Sequence, residues 1–276
     1  MSMVLSYDQF MSISYSIDRN NVKLPDETRK KFDAIKRKLG VKEAKMERTE
    51  TLAVTKIVKQ PGLLSDLFKL LNKVTDKTYE KLKDEIINII MNAENASEVC
   101  DNFFKIVNAN SFHCHLYAKL YHAVIEKDPK YKNILRAKTT EYMKTFDDVV
   151  FVSSNEDYDA YCLYIKHIGS IKNFTLFLVK CFNEKVLDLS DIGTIIQCFQ
   201  ENILSNISKS DETYKNETYT SNIHTLIKEI YLETKASTEW DVVLSEHKKI
   251  VGTSGEGKSK KMTFNLMDIS DIINKN

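Results

Sequence analysis

The residues most able to do chemistry lie late in the chain, where Gly252-Thr253-Ser254-Gly255-Glu256-Gly257-Lys258-Ser259 fits G-x-x-x-x-G-K-S/T at every position. A loop of that pattern can cradle phosphates with backbone amides and set the lysine ammonium on the terminal phosphate. It does so between a buried parallel strand and a helix, with further strands carrying the metal and sensor residues. Here a helical pattern ending in His247-Lys248-Lys249 precedes the string, and only residues 260–276 follow it. The expectation is a flexible Gly/Ser/Lys loop rather than a nucleotide site. His113-Cys114-His115, with His122 downstream, is the one cluster of metal-ligand types. On a helix His113 and His115 point about 200° apart, and His115 and His122 are about 10.5 Å apart along the axis. Neither pair converges at the roughly 2 Å bonds zinc requires, so a packed or surface helix without metal is expected. No G-x-S-x-G, H-E-x-x-H or pair of carboxylates in an apolar cleft occurs. Nothing reads as catalytic, and no cofactor is implied.

Two basic segments remain. One holds Arg29, Lys30, Lys31, Lys36, Arg37 and Lys38, the other Lys248, Lys249, Lys258, Lys260 and Lys261. Such runs are either solvated helix ends or a phosphate-contacting surface that binds RNA without reading its sequence. The whole chain does not decide between them, because 40 Lys+Arg against 39 Asp+Glu leave it nearly neutral. Five cysteines, scattered and never in a C-x-x-C pair, indicate a reduced, cytoplasmic setting. Met1–Ile13 lacks a basic start and carries Asp8, so it is no secretory signal. The most apolar stretch, 158–182, is broken by Lys166, Lys172 and Lys180 and does not span a membrane.

The elements that must position these residues are helices. Only 7 Gly and 3 Pro in 276 residues leave little material for the tight turns of a β-rich fold. Leu63, Leu64, Leu67, Phe68, Leu70 and Leu71 predict a short helix ending near Asn72. Tyr79, Leu82, Ile86 and Ile89 predict a second, with Thr75 in the N-cap position accepting from the amide of Thr78. Asn95 and Glu98 have the spacing of a capping box before the next apolar face. Pro129 is expected to close the helix carrying Tyr117, Leu120, Tyr121, Val124 and Ile125. Tyr158–Ile168 should lead to a break at Gly169, with Phe174–Phe182 following. The polar stretch 205–222 is the longest loop candidate, its later part already helical. Residues 1–60 read as a basic, partly disordered N-terminal extension, and Gln60-Pro61-Gly62 marks the boundary. The fold class is therefore all-α. Residues 61–276 should form a HEAT-like α-solenoid of about five antiparallel helix pairs, because a single pair cannot bury both of its apolar faces.

Five patches in this order resemble one family. Leu71-Asn72-Lys73-Val74-Thr75 with Tyr79 and Leu82 is similar to the opening L-N-K-L/V-T…F/Y-x-x-L of the middle domain of translation initiation factor 4G. Phe112 with Tyr117-Ala118-Lys119-Leu120 resembles its F…Y-A-x-L, and Leu135, Glu141 and Tyr142 its L…E-F/Y. Gly169, Ile171 and Lys172 resemble G-N-I-R/K, although Asn173–Phe177 departs from the F-I-G-E-L that follows there. Lys261-x-x-Phe264-x-Leu266-x-Asp268-Ile269-x-Asp271 resembles the closing R-x-x-F-x-L-x-D-V-x-D-L helix.

The resemblance implies a non-enzymatic scaffold that binds and stimulates a DEAD-box RNA helicase of the initiation factor 4A type. Leu71, Asn72, Lys73, Thr75 and Thr78 in the first turn, with Phe264 and Asp268 in the last helix, would make the contacts. It also favours RNA at Lys30, Lys31, Lys36, Arg37, Lys248, Lys249, Lys258, Lys260 and Lys261. In the N-terminal segment, Tyr7, Phe10 and Met11 resemble the peptide by which this family docks the cap-binding subunit 4E, with Ser12 standing where a leucine belongs. A related scaffold of RNA decay, splicing or cap binding, gripping another partner, shares the same pattern.

Overall fold

The computed structural model describes residues 62–275, together with 26–28, 30, 31 and 34. The latter are helical and exposed, and Lys31 pairs with Glu27 one turn back (3.4 Å). Among residues 62–275 there are ten α-helices: α1 (Leu63–Leu71), α2 (Tyr79–Met91), α3 (Ala96–Ala109), α4 (Cys114–Lys127), α5 (Lys130–Lys144), α6 (Tyr158–Asn183), α7 (Leu189–Asn206), α8 (Thr213–Thr234), α9 (Trp240–Gly252) and α10 (Lys260–Asn274). No strand occurs among the described residues, and no helix there is long and apolar enough to cross a membrane.

Helix ends follow local chemistry. Asn95 accepts from the amides of Ser97 and Glu98, Asp157 from Ala160, and Asp188 shares a reciprocal capping box with Asp191. Four sequence expectations need correction. Thr75 is not the cap of α2, which begins after Thr78; the turn instead folds around the Thr78 hydroxyl. Helix α4 already ends at Lys127, and Pro129 starts α5, where its missing N–H leaves nothing unsatisfied. Gly169 does not break α6, which runs 26 residues without interruption. Most of 205–222 is helical too, because α8 begins at Thr213 and buries Asn216, Thr218, Tyr219, Thr220 and Asn222.

The chain alternates between two layers. Odd-numbered helices pack each on the next odd one, from α1 to α9, and even-numbered helices do the same from α2 to α10. The helices therefore stack in sequence order in an arrangement consistent with an α-solenoid, each covering a face its neighbours leave bare. A file of aromatic rings ties the stack together. Phe103 and Phe104 of α3 meet Tyr121 of α4 and Phe177 of α6. Phe174 carries the contact to Tyr142 of α5, and Phe146 stacks on Tyr219 of α8 at 4.6 Å. Each such pair adds about 0.5–1.5 kcal/mol beyond the area it buries. A polar chain crosses the same interior. Tyr142 Oη donates to Thr175 Oγ1, which donates to Asn222 Oδ1, both at 2.5 Å, and Asn222 Nδ2 donates to the carbonyl of Thr218. At the far end Trp240, the single tryptophan, is 2% exposed against Tyr231 and donates from Nε1 to Thr234 Oγ1.

Candidate functional site

The turn between α1 and α2 is built by one hydroxyl. Thr78 Oγ1 donates to the carbonyl of Lys73 (2.6 Å) and accepts from the amide and the hydroxyl of Thr75, both at 2.9 Å. Leu71 and Val74 are buried beneath it, and Tyr117 of α4 donates to the Leu71 carbonyl at 3.5 Å. This division assigns roles within the motif. Leu71, Thr75 and Thr78 hold the turn, while Asn72 and Lys73 point into solvent. Asp76 joins them at the surface and meets His115 Nε2 of α4 at 3.2 Å. That hydrogen bond holds the Asp76 carboxyl below the usual aspartate range. Phe112, in the next turn, is 80% exposed and edge-on to His113. The edge of the first two pairs thus presents Asn72, Lys73, Asp76, His115 and Phe112 together.

At the other end Ser259 caps α10, accepting from the amide of Met262 (3.1 Å). Met262, Leu266 and Ile269 are buried and anchor the helix on α8. Phe264, on the same helix, has its ring 64% exposed. Asp268 and Asp271 follow at helical spacing on the same outward face. Asp268, His224 and Lys228 line a groove between α8 and α10, and burial pulls the His224 imidazole below its usual range.

The phosphate-loop string has a different use here. Helix α9 precedes it, not a strand, and Lys258 turns back to donate to the carbonyls of Ile250, Val251 and Thr253 at 3.0, 2.8 and 2.8 Å. Its ammonium closes the end of α9, where unpaired carbonyls and the helix dipole favour a cation. The two glycines let the loop lie flat on the α7–α8 connection. A Cβ on Gly255 would stand 2.2 Å from the Ile207 carbonyl oxygen, and one on Gly257 2.5 Å from that of Lys209. The Gly257 amide donates to Ile207 at 2.9 Å, and Asn216 Nδ2 donates to the Gly257 carbonyl at 3.1 Å.

Of the other cations in this basic segment, Lys248, Lys249, Lys260 and Lys261 are exposed. Lys249 pairs with Glu246, and Lys261 with Glu217 at 3.1 Å. Lys30 and Lys31 are exposed as well, whereas Lys36, Arg37, Tyr7, Phe10 and Met11 lie outside the described residues. No group of histidine, cysteine or carboxylate side chains among the described residues could hold a metal ion. Cys114 is buried, which pushes its thiol pKa up, and His115 is engaged with Asp76. Sequence reasoning missed Asp76 as a surface partner. The signal for Phe112 was present: a large ring two residues after Asn110, whose side chain accepts from the Phe112 amide, sits in a turn rather than on a helix face.

Compared with known proteins, the chain matches no family model and no curated sequence.

Proposed function

We propose that this chain is a scaffold of translation initiation resembling the middle domain of initiation factor 4G, a HEAT-like solenoid that docks a DEAD-box RNA helicase of the 4A type. One observation carries the reading. The motif positions divide into buried anchors and solvent-facing side chains at the two ends where a two-lobed partner would be held. Leu71, Tyr79, Leu266 and Ile269 are buried, while Asn72, Lys73, Phe264 and Asp268 are presented outward. An aromatic ring 64% exposed on a terminal helix gains nothing for the fold and suits an interface anchor. Gripping the two lobes at separate ends would favour the closed helicase, because only one arrangement of the lobes meets both ends. RNA would be met weakly at the exposed Lys248 and Lys260, and cap-binding subunit 4E at the N-terminal peptide.

Calorimetric titration with a 4A-type helicase tests this. Lys73→Glu and Phe264→Ala should each weaken binding at least about fivefold while the melting temperature stays put, because both side chains are exposed. No binding by the wild-type chain, or binding that neither substitution alters, would remove the proposal.

A further inference from the structure

Helix α6 is built unlike its neighbours. Its 26 residues span about 39 Å, against 14 residues for α4 and 18 for α7. Yet its first fully buried side chain is Ile171, and from Tyr158 to Ser170 only Tyr164 and Ile168 pack against the core. One flank of this half leans on the protein: Tyr164 meets Phe151 edge-on at 5.5 Å, and Phe151 stacks on Tyr214 of α8 at 3.7 Å. The outward side exposes several apolar side chains. Tyr158 is 68% exposed, Leu163 67% and Ile165 48%, with Cys162 exposed between them and Val150 of the preceding loop 69% exposed. Leu163 also heads the helical column Leu163, His167, Ser170, Phe174. The lower three of these wall a cavity of about 560 Å³, open mouth included, between α3, α5 and α6. Thr145, Asn108 and the ion pair of Lys138 with Glu141 (2.7 Å) line it too, and the Asn108 side-chain oxygen is buried without a hydrogen-bond partner among the described residues.

The charge around this ledge is mainly acidic. From residue 144 to residue 166 the chain carries Asp147, Asp148, Glu156, Asp157 and Asp159 against Lys144 and Lys166, in a protein whose net charge is +1. All five acids are exposed, and none is in an ion pair among the described residues. Asp157 caps α6, and the other four have no such duty. Contiguous exposed apolar side chains rimmed by charge mark an interaction surface. An acidic rim repels nucleic-acid phosphates and attracts cations.

We propose that the N-terminal half of α6, with the α5–α6 loop and the cavity beneath it, docks a basic amphipathic helix of a protein partner. Apolar anchors of that helix would lie along Tyr158, Leu163 and Ile165, and its lysines or arginines would meet the carboxylates of the loop. A hydrogen-bond donor entering the cavity would find the unpartnered side-chain oxygen of Asn108. The surface lies on the middle pairs, apart from the first turn and the last helix, and does not depend on which helicase those bind.

The full chain can be tested with synthetic helical peptides of leucine on one face and lysine on the other. Controls are the same helix with glutamate for lysine and a scramble without an apolar face. By fluorescence anisotropy the basic amphipathic peptide should bind at least about tenfold more tightly than either control, and more weakly as salt rises. Leu163→Ser with Ile165→Ser should abolish the preference. Asp147→Asn, Asp148→Asn, Glu156→Gln and Asp159→Asn together should lower affinity for the basic peptide about tenfold and leave the thermal melt in place. Equal binding of basic and acidic helices, or indifference to both sets of substitutions, overturns the proposal. So does a wild-type dimer that Leu163→Ser with Ile165→Ser makes monomeric, which would make the ledge a self-interface, or displacement of the peptide by single-stranded RNA at low concentration. Maleimide labelling supplies the remaining control: Cys162 should react quickly and buried Cys100, Cys114 and Cys181 slowly, whereas a protected Cys162 would mean that the chain covers its own ledge.

Discussion

Replacing Lys258 separates the two uses of a phosphate-loop string. In this structure the ammonium donates to three carbonyls at the end of α9 and stands in for the amides that the finished helix lacks. Hydrogen bonds to a charged group contribute about 1.5–3 kcal/mol each when buried. Lys258 is only half-buried, so water can reach part of the vacated carbonyl shell, and the whole set should contribute about 1.5–3 kcal/mol rather than three times that. Lys258→Met keeps the aliphatic stem and removes the donors. For a domain of this size that predicts a fall in melting temperature of about 3–12 °C, read by loss of helical circular dichroism. Magnesium-ATP should leave the melting curve of the wild-type chain where it is, because a ligand that bound only the native state would raise it by mass action. An unchanged melting temperature in Lys258→Met would refute the capping argument. A wild-type curve raised by magnesium-ATP would refute the reading of the string as a structural loop.

Three further outcomes follow from the interior. Gly257→Ala drives a methyl group to 2.5 Å from the Lys209 carbonyl oxygen, so the loop must lift, and denaturant titration should show a loss of about 1–3 kcal/mol. Thr175→Val strands the Tyr142 hydroxyl and the Asn222 side-chain oxygen in the core, a loss of about 2–4 kcal/mol in the same assay; Tyr142→Phe added to it should be much less than additive. His247, 4% exposed and bonded to Ser270 Oγ, has its pKa pulled to about 4 by burial, below its unfolded value of 6.5. Its contribution is complete above about pH 6.5 and is lost as pH falls towards 4, by about 3 kcal/mol, and His247→Gln should flatten that acid limb.

Where a residue's type determines its neighbour chemistry, the sequence was a sufficient guide. Leucines and isoleucines at helical spacing located both helices of the first pair, and Asn95 started α3, because those signals act within a turn or two of the chain. Pro129 misled because proline at the first turn and proline past the last turn look identical without knowing which helix is at hand. Gly169 is tolerated mid-helix because continuous packing of Ile171 and Phe174 outweighs its modest propensity penalty of about 1 kcal/mol. The start of α8 read as loop since the partner of Asn216, the Gly257 carbonyl, lies 41 residues away in sequence. Whether the Phe264 ring is covered, or the Lys258 ammonium engaged, depends on neighbours brought by the stacking.

Placing the sole indole at Trp240, beside Tyr231 in the last stacked pair, gives the chain a local optical reporter. In a stack where each pair leans only on its neighbours, the ends can open before the middle. Indole emission therefore watches one end, while far-ultraviolet ellipticity averages over every helix. Denaturation curves from the two signals should coincide only if the aromatic file from Phe103 to Tyr219 makes the whole stack melt as one. Separation of the curves would measure, in energy, how firmly the terminal pair is held to the rest.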